Sequence, residues 1–515
     1  MRSSVNMELF LGIDLGTTGL KTSLVDVSGE IIASQTIQYP IRSPQEGFAE
    51  QDPELWWSGL GQCCQALQNR KPNLMSSLIG VGICGQMHTQ VYLDGTGKIL
   101  RPAITWMDQR SSSIVTRIHQ NPDVSSLIFR ETKNFATTTY TALHMKWVQE
   151  KQPEIWSQVK HVLIAKDFLK YRLTGEMATD YSDAAGTLLF DVESCRWSEN
   201  MFNYFGFPLT LLPDVHASHT IVGNVTRRAS EQTGIPEGTP VANGCADHTA
   251  ASLGAGVVHS GQVTAIIGTA GVISVCSDQP LPDNNNSTLC WNYCLEDRWV
   301  ILGITQTAGE SLNWFKNAFD PATGSDKGTR DIFEVYNRSV RNVPDGSNGL
   351  IFLPYLVGER TPYWDPNARG VFFGIGISTE KAHFVKAIME GVSFALRHNV
   401  ETVEDLGIGI DEIRFLGGGS KSSVWLHTLA KILTKPIKTL SVSDAGALGS
   451  IMLCGKALGV YPSVEKAVET MVMTDKEIHY EKPQAIYEKQ YDLFLELYEN
   501  LKHSFQKAAQ QRNHH

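Results

Sequence analysis

One short unit, an apolar strand followed by a glycine-threonine turn and a second apolar strand, occurs twice in this chain about half its length apart. That repetition limits the possible folds more than any other feature. In the first copy FLGIDL, residues 10 to 15, runs through GTTG into KTSLVDV, and after Ser28 and Gly29 a third run, EIIASQTIQY, follows. Apolar runs broken by small turn residues predict a three-stranded antiparallel meander. The second copy runs from QVTAII through GTAG into VISVCS, residues 262 to 277. At 515 residues the chain exceeds what one core usually supports, so the repeat predicts two α/β domains of similar plan. Their junction is expected near residues 254 to 260, giving domains at 8–256 and 257–500. A disordered tail is expected over 501–515, ending in QQRNHH, where His514 and His515 are either native or a tag remnant.

Between and after the meanders the pattern is helical. Asp52 is placed to cap a helix that opens on Pro53, with Trp56, Leu60, Cys63, Cys64 and Leu67 on one face. Ser378 or Thr379 is the expected cap of a long helix carrying Phe384, Ile388, Val392, Ala395 and Val400, stopped by Gly407. The segment IRFLGGGSKSSVWLHTLAKIL reads as strand, glycine-rich turn and helix.

Composition narrows the partners. Hydrophobic residues make up 42% of the chain and charged residues 19%, an ordinary globular balance. With 54 acidic against 44 basic residues the net charge is -10, and no long basic run offers a footprint for nucleic acid. Small-molecule partners are therefore expected; a phosphorylated ligand remains compatible, because backbone N–H groups and a metal ion can hold phosphate. The nine cysteines form no CxxC pair, the start leads straight into a strand pattern without a signal peptide, and no apolar run reaches membrane-spanning length. Reduced thiols, a cytoplasmic location and no membrane contact are expected.

Three glycine clusters and one carboxylate could carry chemistry. In LGIDLGTTGLK, Asp14 ends a buried strand and Gly16, Thr17, Thr18 and Gly19 form the turn. Such a turn can aim N–H groups and hydroxyls at phosphate while the carboxylate holds Mg²⁺ through water, or it can be a plain hairpin. The GTAG turn, Gly268 to Gly271 with the Thr269 hydroxyl, can face the other side of a polyphosphate or simply be a tight turn. Gly417 to Gly419 would let adenine and ribose approach backbone, or merely loosen a loop. In VANGCADHTAASLGAG, Asp247 follows a strand and opens a helix, where it serves either to accept a proton from a substrate hydroxyl or to cap the helix. Gln86, Met87 and His88, with Trp106, Asp108 and Arg110, stand at strand ends where side chains can converge on a polyol; a lone His or Trp is also at home in a core.

In order along nearly the whole chain, LGIDLGTTGLK, GQMHTQVYLD, ITWMDQR, AKDFLKYRLTGEMATDYSDAAGT, GCADHTAASLGAG, FLPYLVGERTP and FLGGGSKSSVW resemble the FGGY family of carbohydrate kinases, most closely its xylulose-phosphorylating members. Residues 370 to 390 resemble that family's second signature. The resemblance implies two actin-like, ribonuclease H-like ATPase domains around a central cleft, with sugar deep inside and ATP and Mg²⁺ mainly on the second domain. It implies Asp247 as general base, Asp14 and Asp247 at the metal, and Gly16, Thr17, Thr18 and Lys21 near the phosphates. Gly268 and Thr269 would face the phosphates from the other domain, and Gly418, Gly419 and Ser420 would border the adenosine. Gln86, Met87, His88, Trp106, Asp247 and His248 would contact the sugar. Departures fall in the pocket: Thr89 stands where glycine is usual, His248 where asparagine is usual, Leu143-His144 where Pro-Lys is usual, and GTAG where GTSG is commoner.

The resemblance therefore implies transfer of the ATP γ-phosphate to a small sugar, D-xylulose giving D-xylulose 5-phosphate being the first candidate, by an enzyme expected to be a homodimer. A sister kinase for another ketose, a polyol or a sugar acid is the near alternative. A non-enzymatic nucleotide-binding regulator on an actin-like scaffold, as in the heat-shock chaperone ATPases, is the alternative of another class.

Overall fold

The computed structural model describes residues 8–320, 331–441, 444–480 and 484–512. In the first lobe β1 (Leu9–Leu15), β2 (Gly19–Asp26) and β3 (Ile31–Gln38) form the antiparallel meander that the alternating apolar runs predict. Next comes α1 (Pro53–Arg70), whose cap Asp52 accepts the Glu54 N–H, with Trp56, Leu60, Cys63, Cys64 and Leu67 buried. The strand β4 (Leu78–Gly85) pairs parallel with β1. The sheet is completed by β5 (Ile221–Asn224), β6 (Pro240–Ala242) and β7 (Cys245–Ala246), in the order β5-β6-β4-β1-β2-β3 with β7 also pairing β4. From β7 the chain passes directly into α2 (Asp247–Gly254).

The second lobe repeats the plan. Its strands are β8 (Val263–Ile267), β9 (Gly271–Ser277), β10 (Leu289–Asn292), β11 (Trp299–Thr305), β12 (Ile413–Leu416), β13 (Ile437–Leu440) and β14 (Thr474–Ile478), ordered β10-β11-β9-β8-β12-β13-β14. As β1 is antiparallel to β2 and parallel to β4, so β8 is antiparallel to β9 and parallel to β12. Helices α3 (Gly309–Phe319), α4 (Lys381–Glu404), α5 (Ser423–Leu433), α6 (Ala445–Ala457) and α7 (Ala485–Arg512) accompany this sheet in sequence. The result is an α/β fold of two actin-like lobes around a cleft. Among the described residues no helix is long and apolar enough to cross a membrane.

Two expectations need correction. The cap of α4 is Glu380, whose carboxylate and the His383 ring form a reciprocal capping box, while the Thr379 hydroxyl is taken up by the Gly376 N–H. The tail does not become disordered at 501: α7 continues to Arg512, because Phe505 is buried against Tyr498 and extends the apolar stripe of Tyr487, Tyr491 and Phe494. His514 and His515 lie outside the described residues.

Although α6 falls between β13 and β14 of the second sheet in sequence, it lies on the first sheet. A Cβ on Gly82 of β4 would stand 2.5 Å from the Ser450 carbonyl oxygen, and one on Gly12 of β1 would stand 2.9 Å from the Ala447 Cβ. Against α2 the approach is closer: a Cβ on Gly254 would fall 1.9 Å from the Ala445 oxygen, and one on Gly449 would fall 2.0 Å from the Ala250 oxygen. Only glycine lets these backbones meet. In return α2 reaches the second sheet through the hydrogen-bonded hydroxyls of Ser252 and Thr264, 2.8 Å apart.

Candidate active site

Sheet register places the two carboxylates of interest. Asp14 on β1 stands opposite Cys84 on β4, and Cys84 stands opposite Cys245 on β7, two residues before Asp247. Neighbouring strands lie about 4.8 Å apart, so Asp14 and the start of α2 emerge from the same sheet end roughly 10 Å apart. Burial pushes the Asp247 carboxyl up to about 7, with the Asp14 charge adding to the effect. Burial, then the Asp444 charge, pushes Asp14 up to about 6. As for capping, Asp247 is the first helical residue and the cap position is Ala246; its Oδ1 accepts the neighbouring His248 N–H at 2.8 Å, and its own N–H also favours the charged form. Among the described residues no other side chain bonds to the carboxylate.

The turn after β1 is braced from outside. The Gly16 N–H donates to the Gly19 carbonyl (3.0 Å), the Tyr39 hydroxyl donates to the Gly16 carbonyl, and the Trp106 indole donates to Thr17 Oγ1 (2.9 Å). Thr18 is exposed at its tip. Lys21 pairs with Asp444 at 2.9 Å, and Ser23 donates to the same carboxylate at 2.7 Å. Asp444, which sequence reasoning did not single out, thus caps α6 while tying it to β2; its signal was an Asp immediately ahead of a helix that opens on small residues.

Across the cleft a cavity of about 420 Å³ is lined by Gly268, Gly309, Gly418, Gly419, Asn313, Asn337, Phe333, Tyr336 and Trp425, among others. Gly309 holds the GTAG turn in place, its N–H donating to the Gly268 carbonyl at 2.9 Å, while Ala308 N–H donates to the Thr269 carbonyl at 2.8 Å. Thr269 is exposed at the turn, and a Cβ on Gly418 would meet nothing within 4 Å. The Ser420 hydroxyl donates to the Gly417 carbonyl at 2.7 Å and so closes its own turn. Gly309 and the aromatic lining went unnoticed in the sequence, where they are spread over more than a hundred residues.

The third group draws on both lobes. His88 has φ 63° and donates from Nδ1 to the Gly186 carbonyl at 2.5 Å. Its ring meets Tyr140 and Trp291 edge to face, and Trp291 also meets His248 at 5.4 Å. Burial keeps both imidazoles neutral, His88 pushed down to about 4 and His248 to about 3. His248 Nε2 is shut off from solvent with no hydrogen-bond partner among the described residues. Trp291, supplied by the second lobe, also donates from its indole to the Tyr140 hydroxyl at 3.1 Å. Met87 is buried, and a Cβ on Gly186 would strike its Cε at 2.6 Å.

Several candidates are occupied by the protein itself. Gln86 donates to Gln51 Oε1 (2.8 Å) and accepts from the Thr89 hydroxyl (3.1 Å), which also receives the Trp106 N–H (3.3 Å). Thr89 is therefore internal bracing, whereas among the departures His248 Nε2 and His144 Nδ1 are buried polar atoms with no partner among the described residues. Asp108 and Arg110 pair at 2.7 Å and Arg110 reaches Glu50 at 2.7 Å, so they fasten a strand end instead of converging on a ligand. His144 Nε2 donates to the Asp108 carbonyl at 3.3 Å. The segment AKDFLKYRLTGEMATDYSDAAGT supplies a wholly buried ionic knot: Lys166 touches Asp167 (2.6 Å), Asp180 (2.9 Å) and Asp183 (2.9 Å), and Lys170 touches Asp167 (2.9 Å). Asp180 accepts from the Ser182 hydroxyl at 2.5 Å, which itself accepts the Ala246 N–H at 2.9 Å, one residue before Asp247.

Two lobes of like topology, with paired carboxylates at one sheet end facing a glycine-walled cavity over an aromatic and imidazole pocket, define a sugar-phosphorylating enzyme of the actin-like class. Family models describing the N-terminal and C-terminal domains of the FGGY family of carbohydrate kinases match residues 9–254 and 263–458, and the chain belongs to that family. It is 33% identical over 495 residues to a xylulose kinase of Bacillus subtilis, covering 96% of this chain and 97% of the relative. Among solved structures it resembles a ligand-bound xylulose kinase from Lactobacillus acidophilus (TM-score 0.90, 26% identity, 97% of this chain and 100% of the other). A gluconate kinase from the same species is similar as well (TM-score 0.89, 26% identity, 97% and 99%).

Proposed function

We propose that this carbohydrate kinase transfers the γ-phosphoryl group of ATP to a terminal hydroxyl of a pentulose, D-xylulose being the first candidate, with Asp247 as general base. The observation that carries the reading is Asp247 itself: a carboxylate at the same sheet end as Asp14, touched by local backbone N–H groups and, among the described residues, bonded by no other side chain. Gly268, Thr269, Gly418 and Gly419 would border the nucleotide, with Gly16, Thr17 and Thr18 on the opposite lobe, while Met87, His88, Trp106 and His248 would enclose the sugar. Its ordinary base chemistry is to take the proton as the hydroxyl attacks. Closure of the lobes would exclude water.

A divalent cation, Mg²⁺ in this reading, would supply charge neutralisation for the phosphates. The residues fit it: Asp14 and Asp247 emerge at one sheet end with carboxyls pushed up chiefly by burial, and a cation there would favour their charged forms. Such an ion is commonly held by one or two carboxylates together with phosphate and water. Similarity to xylulose kinases supports the pentulose, and similarity to a gluconate kinase supports a sugar acid as the second substrate class to test. Family membership removes the ground for a non-enzymatic regulator.

The test is ADP release with D-xylulose, D-gluconate, glycerol and other small polyols at saturating MgATP. D-xylulose is expected to give the highest kcat/KM; if no sugar raises turnover above the water reaction, the proposal fails. The pH profile adds a second check. Since the base must be ionised, kcat/KM is expected to fall below pH about 7, the value to which Asp247 is raised. The corresponding limb in kcat should lie lower, because a bound cation favours the carboxylate. A flat kcat/KM between pH 6 and 8 would contradict the assignment.

A further inference from the structure

A guanidinium drawn partly out of water without a partner is costly, so a fold that holds one in place is built for something that arrives later. Arg360, half-buried, meets that description. Its backbone is clamped: the Glu359 carboxylate accepts N–H groups from both Gln306 and Arg360 at 2.7 Å, and Thr361 exchanges two hydrogen bonds with Ile304 at the end of β11 (2.9 and 3.0 Å). Yet among the described residues its guanidinium makes no hydrogen bond and no ion pair; its one contact of note is the Trp364 ring, 5.9 Å away.

The surroundings place it at the sugar pocket. Trp364 donates to the Ser287 carbonyl (3.0 Å), just ahead of β10, and meets Phe135 of the first lobe edge to face at 4.8 Å. From β10 comes Trp291, which touches Tyr140, His88 and His248. The Arg360 charge is felt by His88 and Tyr140, on the imidazole and aromatic side of the pocket.

We infer that Arg360 is the second lobe's anchor for the end of the substrate remote from the phosphorylated hydroxyl, donating to two neighbouring oxygens there. A planar guanidinium fits such a pair, whether the carboxylate of a sugar acid or the carbonyl and adjacent hydroxyl of a ketose. The inference deepens the kinase reading and rests on it: substrate bridging Asp247 of one lobe and Arg360 of the other would make tight binding depend on closure.

Arg360→Met and Arg360→Lys, assayed for ADP release with D-xylulose and with D-gluconate, test it. Arg360→Met is expected to raise the sugar KM about 10- to 100-fold, the effect of losing charge-assisted hydrogen bonds, while KM for ATP moves less than about twofold. Arg360→Lys should recover part of the loss, since it restores charge but not the fork. A larger loss with D-gluconate identifies the carboxylate as the group held; a larger loss with D-xylulose identifies the ketose oxygens. An unchanged sugar KM in Arg360→Met, or a rise confined to ATP, overturns the inference. Wild-type inactivity toward every sugar would instead sink the underlying kinase reading. Thermal melting of each variant separates lost binding from lost folding, and sugar-induced quenching of tryptophan fluorescence reads binding without turnover.

Discussion

Asp247→Asn is expected to lower kcat for sugar phosphorylation by about 10²- to 10⁴-fold, the range a positioned general base contributes. Asparagine keeps the shape and the hydrogen bond from the His248 N–H but takes no proton. Stability should move the other way. The carboxyl is raised to about 7 in the fold from an ordinary 3.8, so the folded state holds an extra proton between those values and loses stability as pH rises through them. At pH 8 the whole penalty of an ionised, buried carboxylate is present, and the variant should melt no lower than wild type. Steady-state ADP release and a melting curve check both halves; near-normal kcat would remove Asp247 from the mechanism.

Lys166→Met is expected to cost about 3–5 kcal/mol of folding free energy, because it leaves Asp167, Asp180 and Asp183 buried around an absent cation. For a lobe of this size that corresponds to a fall of roughly 6–20 °C in melting temperature. Acid should narrow the gap between variant and wild type, since protonated carboxyls no longer need the ammonium. A shift under about 3 °C at pH 7.5 would show that the knot is not the brace described. Activity should fall with stability, as the Asp180–Ser182–Ala246 chain fixes the backbone just before the base.

Elements with local signals were legible in the sequence. Both meanders, the Asp52-Pro53 helix start and the strand–glycine–helix unit at 413–433 follow from period, caps and turns, which depend only on nearby residues. What escaped depends on contacts distant in sequence. Lys21 was expected near phosphate, yet its ammonium is taken by Asp444, more than four hundred residues on. Thr89 looked like a pocket change and is instead bracing for Gln86 and Trp106. Trp291, which the second lobe lays against Tyr140 and His88, carries no local mark at all, and Arg360 stands within FLPYLVGERTP with nothing in that motif to show what its side chain faces. The expected end of order at 501 failed because Phe505 finds a partner in Tyr498, a pairing that polar flanking composition conceals.

The crossed placement of α2 and α6 has a consequence for how the molecule can be taken apart. A cut between residues 256 and 257 would not yield two self-sufficient halves: the first would expose the bare face around Gly12 and Gly82 that α6 normally roofs, and the second would carry α6 as an orphaned apolar rod. Fragments made separately should therefore be insoluble or molten, and regain shape only when mixed.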